Sequence, residues 1–166
     1  MRQTRPSRYP FEIEWAVLSN RGWLATRAEE VRSKLLEIAR LRKFVKREPI
    51  HLAGDLSDGL FGIASGSVHV SLPRHDGVNC TVLRSGVGFW TGELGLFRRH
   101  VQLTSVCAAE PTRAIHLPGA RLQRLLLEMP SLVDDVFDLI HENAGLMLRL
   151  LASFSEGKLD QRVAGR

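Results

Sequence analysis

Residues 44–117 carry the feature that most limits what this chain can become: their apolar residues fall in short runs, each closed by Gly, Pro, Asn or Asp. Residues 44–45, 50–52, 60–64, 67–72, 79–83, 101–108 and 113–117 read as strands. Ser65-Gly66 and Asp76-Gly77 read as the hairpin turns between them. Strands this short and this regularly spaced predict a closed antiparallel barrel or a jelly roll.

Helical patterns bracket that block. Phe11, Trp15 and Leu18 predict a short helix ending near Asn20-Arg21-Gly22. Thr26-Arg27-Ala28-Glu29 has the spacing of a capping box, opening a helix whose Val31, Leu35 and Ile38 share a face and which runs to about Arg42. Pro118 opens a helix carrying Leu122, Leu125, Leu126 and Met129, and Pro130 stops it and starts another. In that last helix Val133, Ile140, Met147 and Phe154 recur every seventh residue, and Val136, Asn143 and Leu150 take the positions between. Phe137, Ala144 and Leu151 widen the stripe. Such a repeat suits a parallel two-helix seam, in which Asn143 would fix register, or packing on the chain's own barrel. The helix is expected to end at Ser155-Glu156-Gly157.

A chain of 166 residues with 44% hydrophobic residues fits one domain with a core. No apolar run reaches the ~18 residues of a membrane span, and no signal core precedes the fold, so a cytoplasmic protein away from the membrane is expected. Cys80 and Cys107 fall on predicted strands without a CxxC partner and read as reduced core thiols. Two cysteines are too few for an iron–sulfur cluster. His51, His69, His75, His100 and His116 are scattered without an H-x-H pair, which disfavours a metal-dependent cupin enzyme; no metal ligand or catalytic residue is assigned. Residues 1–47 hold 12 Lys and Arg against 5 Asp and Glu, and the rest of the chain 11 against 13. That basic third suits a nucleic-acid partner or a solvated helix face, and the alternation of Arg27–Lys43 cations with Val31, Leu35, Leu36 and Ile38 favours the face. Residues 1–10, with Arg2, Arg5 and Arg8, are expected to form an arm.

The densest motif is 86–106, where Gly86, Gly88, Gly92 and Gly95 surround Glu93. Glycines let a backbone turn tightly against a ligand, and 93–97 reads as one helical turn whose first N–H groups could hold an anion beside a carboxylate suited to a sugar hydroxyl. The same letters also suit a plain glycine-rich turn between strands.

Gly92-Glu93-Leu94-Gly95-Leu96-Phe97, followed by the strand to Ala108, resembles the phosphate-binding cassette of cyclic-nucleotide-binding domains in the CRP/FNR (catabolite activator) family of transcription regulators. Gly54-Asp55, the run from Gly59 to Val68, Gly86-Val87-Gly88-Phe89 and residues 125–130 resemble that family in the same order, over roughly residues 23–166. The resemblance implies an α+β, mainly β protein: an antiparallel jelly-roll (double-stranded β-helix) barrel with N-terminal helices and a long C-terminal dimerisation helix. It implies an arm and short helix over 1–22, the jelly roll over 23–130, the dimerisation helix over 131–155, and at 156–166 the start of a helix-turn-helix domain whose remainder is absent from this sequence. The implied partners are a second copy through Val133, Val136, Ile140, Asn143, Met147, Leu150 and Phe154, DNA through that further domain, RNA polymerase, and a small effector. The implied effector is cAMP or another cyclic nucleotide, held by Gly92, Glu93, Leu94, Gln102 and Leu103. Here the chain departs from the family. Gln102 stands where an arginine holds the cyclic phosphate, and a neutral amide cannot supply the guanidinium fork. Met147 and Leu148 fall near the Thr/Ser pair that reads the adenine. The readings left are a different effector, weak nucleotide binding assisted by Arg98 or Arg99, and a pocket that keeps only the fold. A stand-alone cyclic-nucleotide-binding-like module acting on a protein partner is the alternative to a transcription regulator.

Overall fold

The computed structural model describes residues 9–97 and 100–163, with side chains described as far as Phe154. Arg98 and Arg99, most of the expected N-terminal arm and the last three residues lie outside the described set. The elements are α1 (Glu12–Ser19), a 3-10 turn (Trp23–Thr26), α2 (Glu29–Ile38), β1 (Arg40–Phe44), β2 (Pro49–His51), β3 (Gly59–Ser65), β4 (Val68–Pro73), β5 (Asn79–Ser85), β6 (Trp90–Thr91), a second 3-10 turn (Glu93–Gly95), β7 (Ser105–Ala108), β8 (Thr112–Pro118), α3 (Gly119–Glu128) and α4 (Leu132–Val163).

Two four-stranded sheets, ordered β1-β8-β3-β6 and β2-β7-β4-β5, make the expected jelly roll, with antiparallel pairing throughout. Strands β3 and β8 are buried on both faces, and their period of two divides two cores. Phe61, Ile63 and Ala114 point into the barrel with Val68, Val70, Val106 and Ala108. Leu60, Ala64, Ile115 and Leu117 point the other way, under Leu18, Trp23, Leu35, Leu122, Leu132 and Val136 of the helical layer. Burying a side chain of this kind is worth about 1.5–3 kcal/mol, so the helical layer is part of the domain's stability.

Close packing between the layers depends on Gly62. A Cβ there would sit 2.4–2.8 Å from the indole carbons of Trp90. Trp90 is itself fully buried and held edge-on against Trp23 at 5.3 Å. Gly62→Ala should therefore lower stability by about 1–3 kcal/mol, the usual cost of overpacking. A urea midpoint equal to wild type would show that Trp90 has room to yield.

Several sequence expectations are corrected. The second helix stops at Ile38 instead of Arg42, because Ala39 turns extended and Arg40–Phe44 pairs with β8. Arg40, Arg42 and Lys43 thus belong to a strand and not to a helix face. Thr26 caps nothing: its hydroxyl donates to the Trp23 carbonyl within the 3-10 turn, and α2 starts after Ala28 without a side-chain cap. Cys80 is exposed and Cys107 half-buried, so both thiols are free but neither is a core residue. The last helix continues through Gly157 to Val163. A helical glycine costs only about 1 kcal/mol relative to Ala, too little to end a long helix by itself. No helix among the described residues is long and apolar enough to cross a membrane.

Candidate ligand site

The 86–97 segment supplies the site's floor. Gly92 adopts φ 99°, in the left-handed region, and a Cβ on it would lie 2.1 Å from the Gly59 carbonyl oxygen. Glycine is therefore required there, and the chain can turn from β6 straight into the 3-10 turn that carries Glu93. Ser57 donates its hydroxyl to the Gly92 carbonyl at 3.2 Å and holds the turn on the β3 approach.

Glu93 is buried. Its carboxylate accepts a 2.8 Å hydrogen bond from the Asn143 side-chain amide, which also donates to the Trp90 carbonyl at 3.0 Å. Burial pushes the Glu93 carboxyl above the usual range, and the Asn143 bond and the turn's own backbone offset that in part. Glu93, whose carboxylate was expected to meet a ligand hydroxyl, faces a cavity of about 100 Å³ lined by Val70, Phe89, Thr91, Leu94, Thr104, Ile140, Asn143, Ala144 and Met147. Pockets for drug-sized ligands run to roughly 300–1,000 Å³, so helix α4 leaves only a remnant of such a space.

A second, larger groove of about 440 Å³ lies on the other flank of α4, between Gly88–Trp90 and His141, Glu142, Gly145, Leu146 and Arg149. Asn143 borders both spaces.

Among the residues expected at the site, Glu93 and Leu94 line the cavity. Gln102 is buried, but its amide nitrogen makes a long 3.5 Å bond to the Gly92 carbonyl, and its backbone pairs with Gly54 and Asp55. It stands behind the turn. Leu103 is 60% exposed and does not line the cavity. Arg98 and Arg99 are outside the described residues. The expected seam is divided. Val136 is fully buried in the helical core, Ile140, Asn143 and Met147 face the cavity, and Phe154 is exposed. Asn143 therefore spends its amide inside the protomer.

The sequence reading missed Thr91, Thr104, Phe89 and Val70 as lining residues. Thr91 and Thr104 stand one residue before Gly92 and two after Gln102, positions that the cassette pattern leaves open. Thr91 also bonds His51 Nε2 at 3.0 Å. Burial lowers the His51 pKa from 6.5 to about 4, against small opposing effects of the Thr104 backbone and Asp55. At neutral pH this imidazole is uncharged. Among the described residues, the cavity lining holds no cation and Glu93 as its sole ionisable group.

The comparisons agree with this geometry. The family described as cyclic nucleotide-binding domain matches residues 41–129, more than half of the chain. A candidate potassium channel protein of Rhodopseudomonas palustris is 24% identical over 156 residues, covering 94% of this chain and 37% of its own length. The catabolite activator protein of Thermus thermophilus shares the fold at a TM-score of 0.65 and 26% identity, over 78% of this chain and 62% of that one. The guanosine-bound regulatory subunit of a cAMP-independent protein kinase A from Trypanosoma cruzi shares it at 0.67 and 20% identity, over 86% and 50%. This chain thus spans less than two thirds of each of these relatives, and little more than a third of the channel protein. It carries the fold, the glycine-shaped cassette turn and the buried Glu93, and it belongs to the cyclic nucleotide-binding domain family.

Proposed function

We propose that the chain is the effector-sensing and dimerisation part of a CRP/FNR-type transcription regulator. One observation carries this reading: the 32-residue helix α4 touches the ligand space and also offers a partner surface. Ile140, Asn143, Ala144 and Met147 close the cavity. Phe137, Leu148, Leu151 and Phe154, each 58–66% exposed, flank and continue that face as an apolar surface that a second copy would cover. A ligand that shifts the helix would shift that surface. The likeness to the catabolite activator of Thermus thermophilus supports the same assignment. In this reading DNA and RNA polymerase are contacted through a helix-turn-helix domain beyond residue 166, and the protein is cytoplasmic. The effector is a cyclic nucleotide held weakly, or a related compound that does not depend on a phosphate charge. The guanosine-bound neighbour has a ligand of the latter kind.

Light scattering on the size-exclusion peak tests the assembly: a dimer at micromolar concentration is expected, and a monomer would contradict it. The second reading, a module that regulates a protein partner, is favoured by the likeness to a candidate potassium channel and to a kinase regulatory subunit. A helix-turn-helix encoded after Arg166 supports the first reading, and its absence the second.

A further inference from the structure

Three observations converge on Asn143. Its amide donates to the carboxylate of Glu93 at 2.8 Å and to the Trp90 carbonyl at 3.0 Å, so one side chain from α4 ties together the cassette turn and the strand before it. The neighbouring Ile140, Ala144 and Met147 narrow the cavity to about 100 Å³. On the far flank of the same helix turn, the groove of about 440 Å³ that Asn143 also borders is open.

Resting on the reading of this cavity as an effector site, we infer that Asn143 is its specificity-determining residue: the amide fills the place on Glu93 that a ligand hydroxyl would take, and a ligand enters only by displacing it. The chemistry follows from what Glu93 can do. A buried carboxylate needs a donor, and Asn143 supplies one from within the chain. A ligand that brings only acceptors, such as a bare phosphate, would strand the carboxylate. A ligand with a hydroxyl replaces the amide bond for bond, and the groove beside α4 takes the displaced side chain. The competing bond sets a threshold, and ligands without a donor at the right place do not cross it.

The pH behaviour follows as well. Glu93 is faced by Asn143 from α4, by Thr91 from β6 and by Thr104 from the approach to β7, none of which is charged. The imidazole of His51 on β2 stands one step away, through Thr91. The charged neighbour of Asn143 along α4, Glu142, lines the opposite groove together with His141. Without Asn143 the carboxylate loses its amide donor, and its pKa should rise further. A raised carboxyl pKa lowers stability as pH rises from about 4.5 through the folded value, so the variant should lose more stability than wild type over that window.

The test is calorimetric titration of wild type and Asn143→Ala with adenosine and with cAMP, together with urea unfolding of both proteins between pH 5 and 8. Asn143→Ala is expected to bind the hydroxyl-bearing probes about 10-fold more tightly, the order of one net hydrogen bond, and to show the steeper fall of stability with pH. Equal or weaker binding by Asn143→Ala overturns the inference, since the amide would then be a ligand contact and not a competitor. If neither protein binds either probe, the effector-site reading fails, and the pH profile alone decides Asn143: a steeper fall supports its place on Glu93, and parallel profiles overturn it.

Discussion

The double variant Leu148→Asp/Leu151→Asp is expected to be monomeric at concentrations where the wild-type chain is proposed to dimerise. Leu148 and Leu151 are 66% and 62% exposed in the protomer, and substitutions at such positions seldom change folding stability by more than about 0.5 kcal/mol. In a two-fold seam each would be buried twice. Burying one leucine is worth about 1.5–3 kcal/mol, and aspartates meeting their symmetry mates add like-charge repulsion, so the dimer should weaken by roughly 1,000-fold or more. Ile140→Asp would not separate the effects, because Ile140 lines the cavity and the charge would damage the ligand site together with the seam. A double variant that elutes and scatters as a dimer would place the interface elsewhere.

Acid should destabilise the fold through His51. Its folded pKa of about 4 lies below the unfolded 6.5, so its contribution is complete above pH 6.5 and is lost as pH falls toward 4. A difference of about 2.5 pKa units corresponds to about 3 kcal/mol. His116 moves in the same direction, lowered mainly by burial: it stacks on Phe61 at 4.3 Å, and its Nε2 lies 2.8 Å from the Asp58 carbonyl oxygen. Glu93, with its raised pKa, acts in the opposite sense and is relieved as pH falls. His51→Gln keeps a donor for Thr91 and removes the titration, so its urea midpoint should fall less than that of wild type between pH 6.5 and 4. Parallel midpoints for the two proteins would show that His51 takes up its proton alike in the folded and the unfolded chain.

The barrel was legible because its signals are local. Asp76-Gly77 makes the expected β4–β5 hairpin turn, and the alternation of Val68 and Val70 with exposed His69 marks a half-buried strand, whereas Ser65-Gly66, also expected as a hairpin turn, carries the chain from β3 in one sheet to β4 in the other. Residues 40–43 were misread because alternating Arg, Leu and Lys satisfies a helical face as well as an edge strand, and only the pairing of Arg40 with His116 decides it. The cassette was legible for a steric reason, since Gly92 and Gly59 approach within a distance that no side chain permits. The partner of Glu93 was not, because Asn143 lies 50 residues away and carries the same heptad signal whether it faces a twin helix or its own barrel. Only the docking of α4 on the barrel separates those two cases. Trp23 Nε1 donates to the Asp135 carbonyl at 2.5 Å, and Arg27 pairs with Asp135 at 2.7 Å and Asp138 at 2.9 Å; these contacts fix the start of the helix and with it the rotation that turns Asn143 inward. All of them cross more than 100 residues of sequence.

The proposed weak nucleotide binding follows from a cassette turn kept close-packed by Gly92 and Gly95 and from Gln102, which the family resemblance aligns with the phosphate-binding arginine and which is uncharged and bonded to Gly92. A charge-assisted hydrogen bond is worth about 1.5–3 kcal/mol, or roughly 10- to 150-fold in affinity. The decisive measurement is a parallel calorimetric titration of wild type and Gln102→Arg with cAMP. A wild-type dissociation constant well above micromolar is predicted, with a gain of that size in Gln102→Arg if the longer guanidinium reaches past the turn into the cavity, whereas micromolar or tighter binding by the wild type would contradict the proposal.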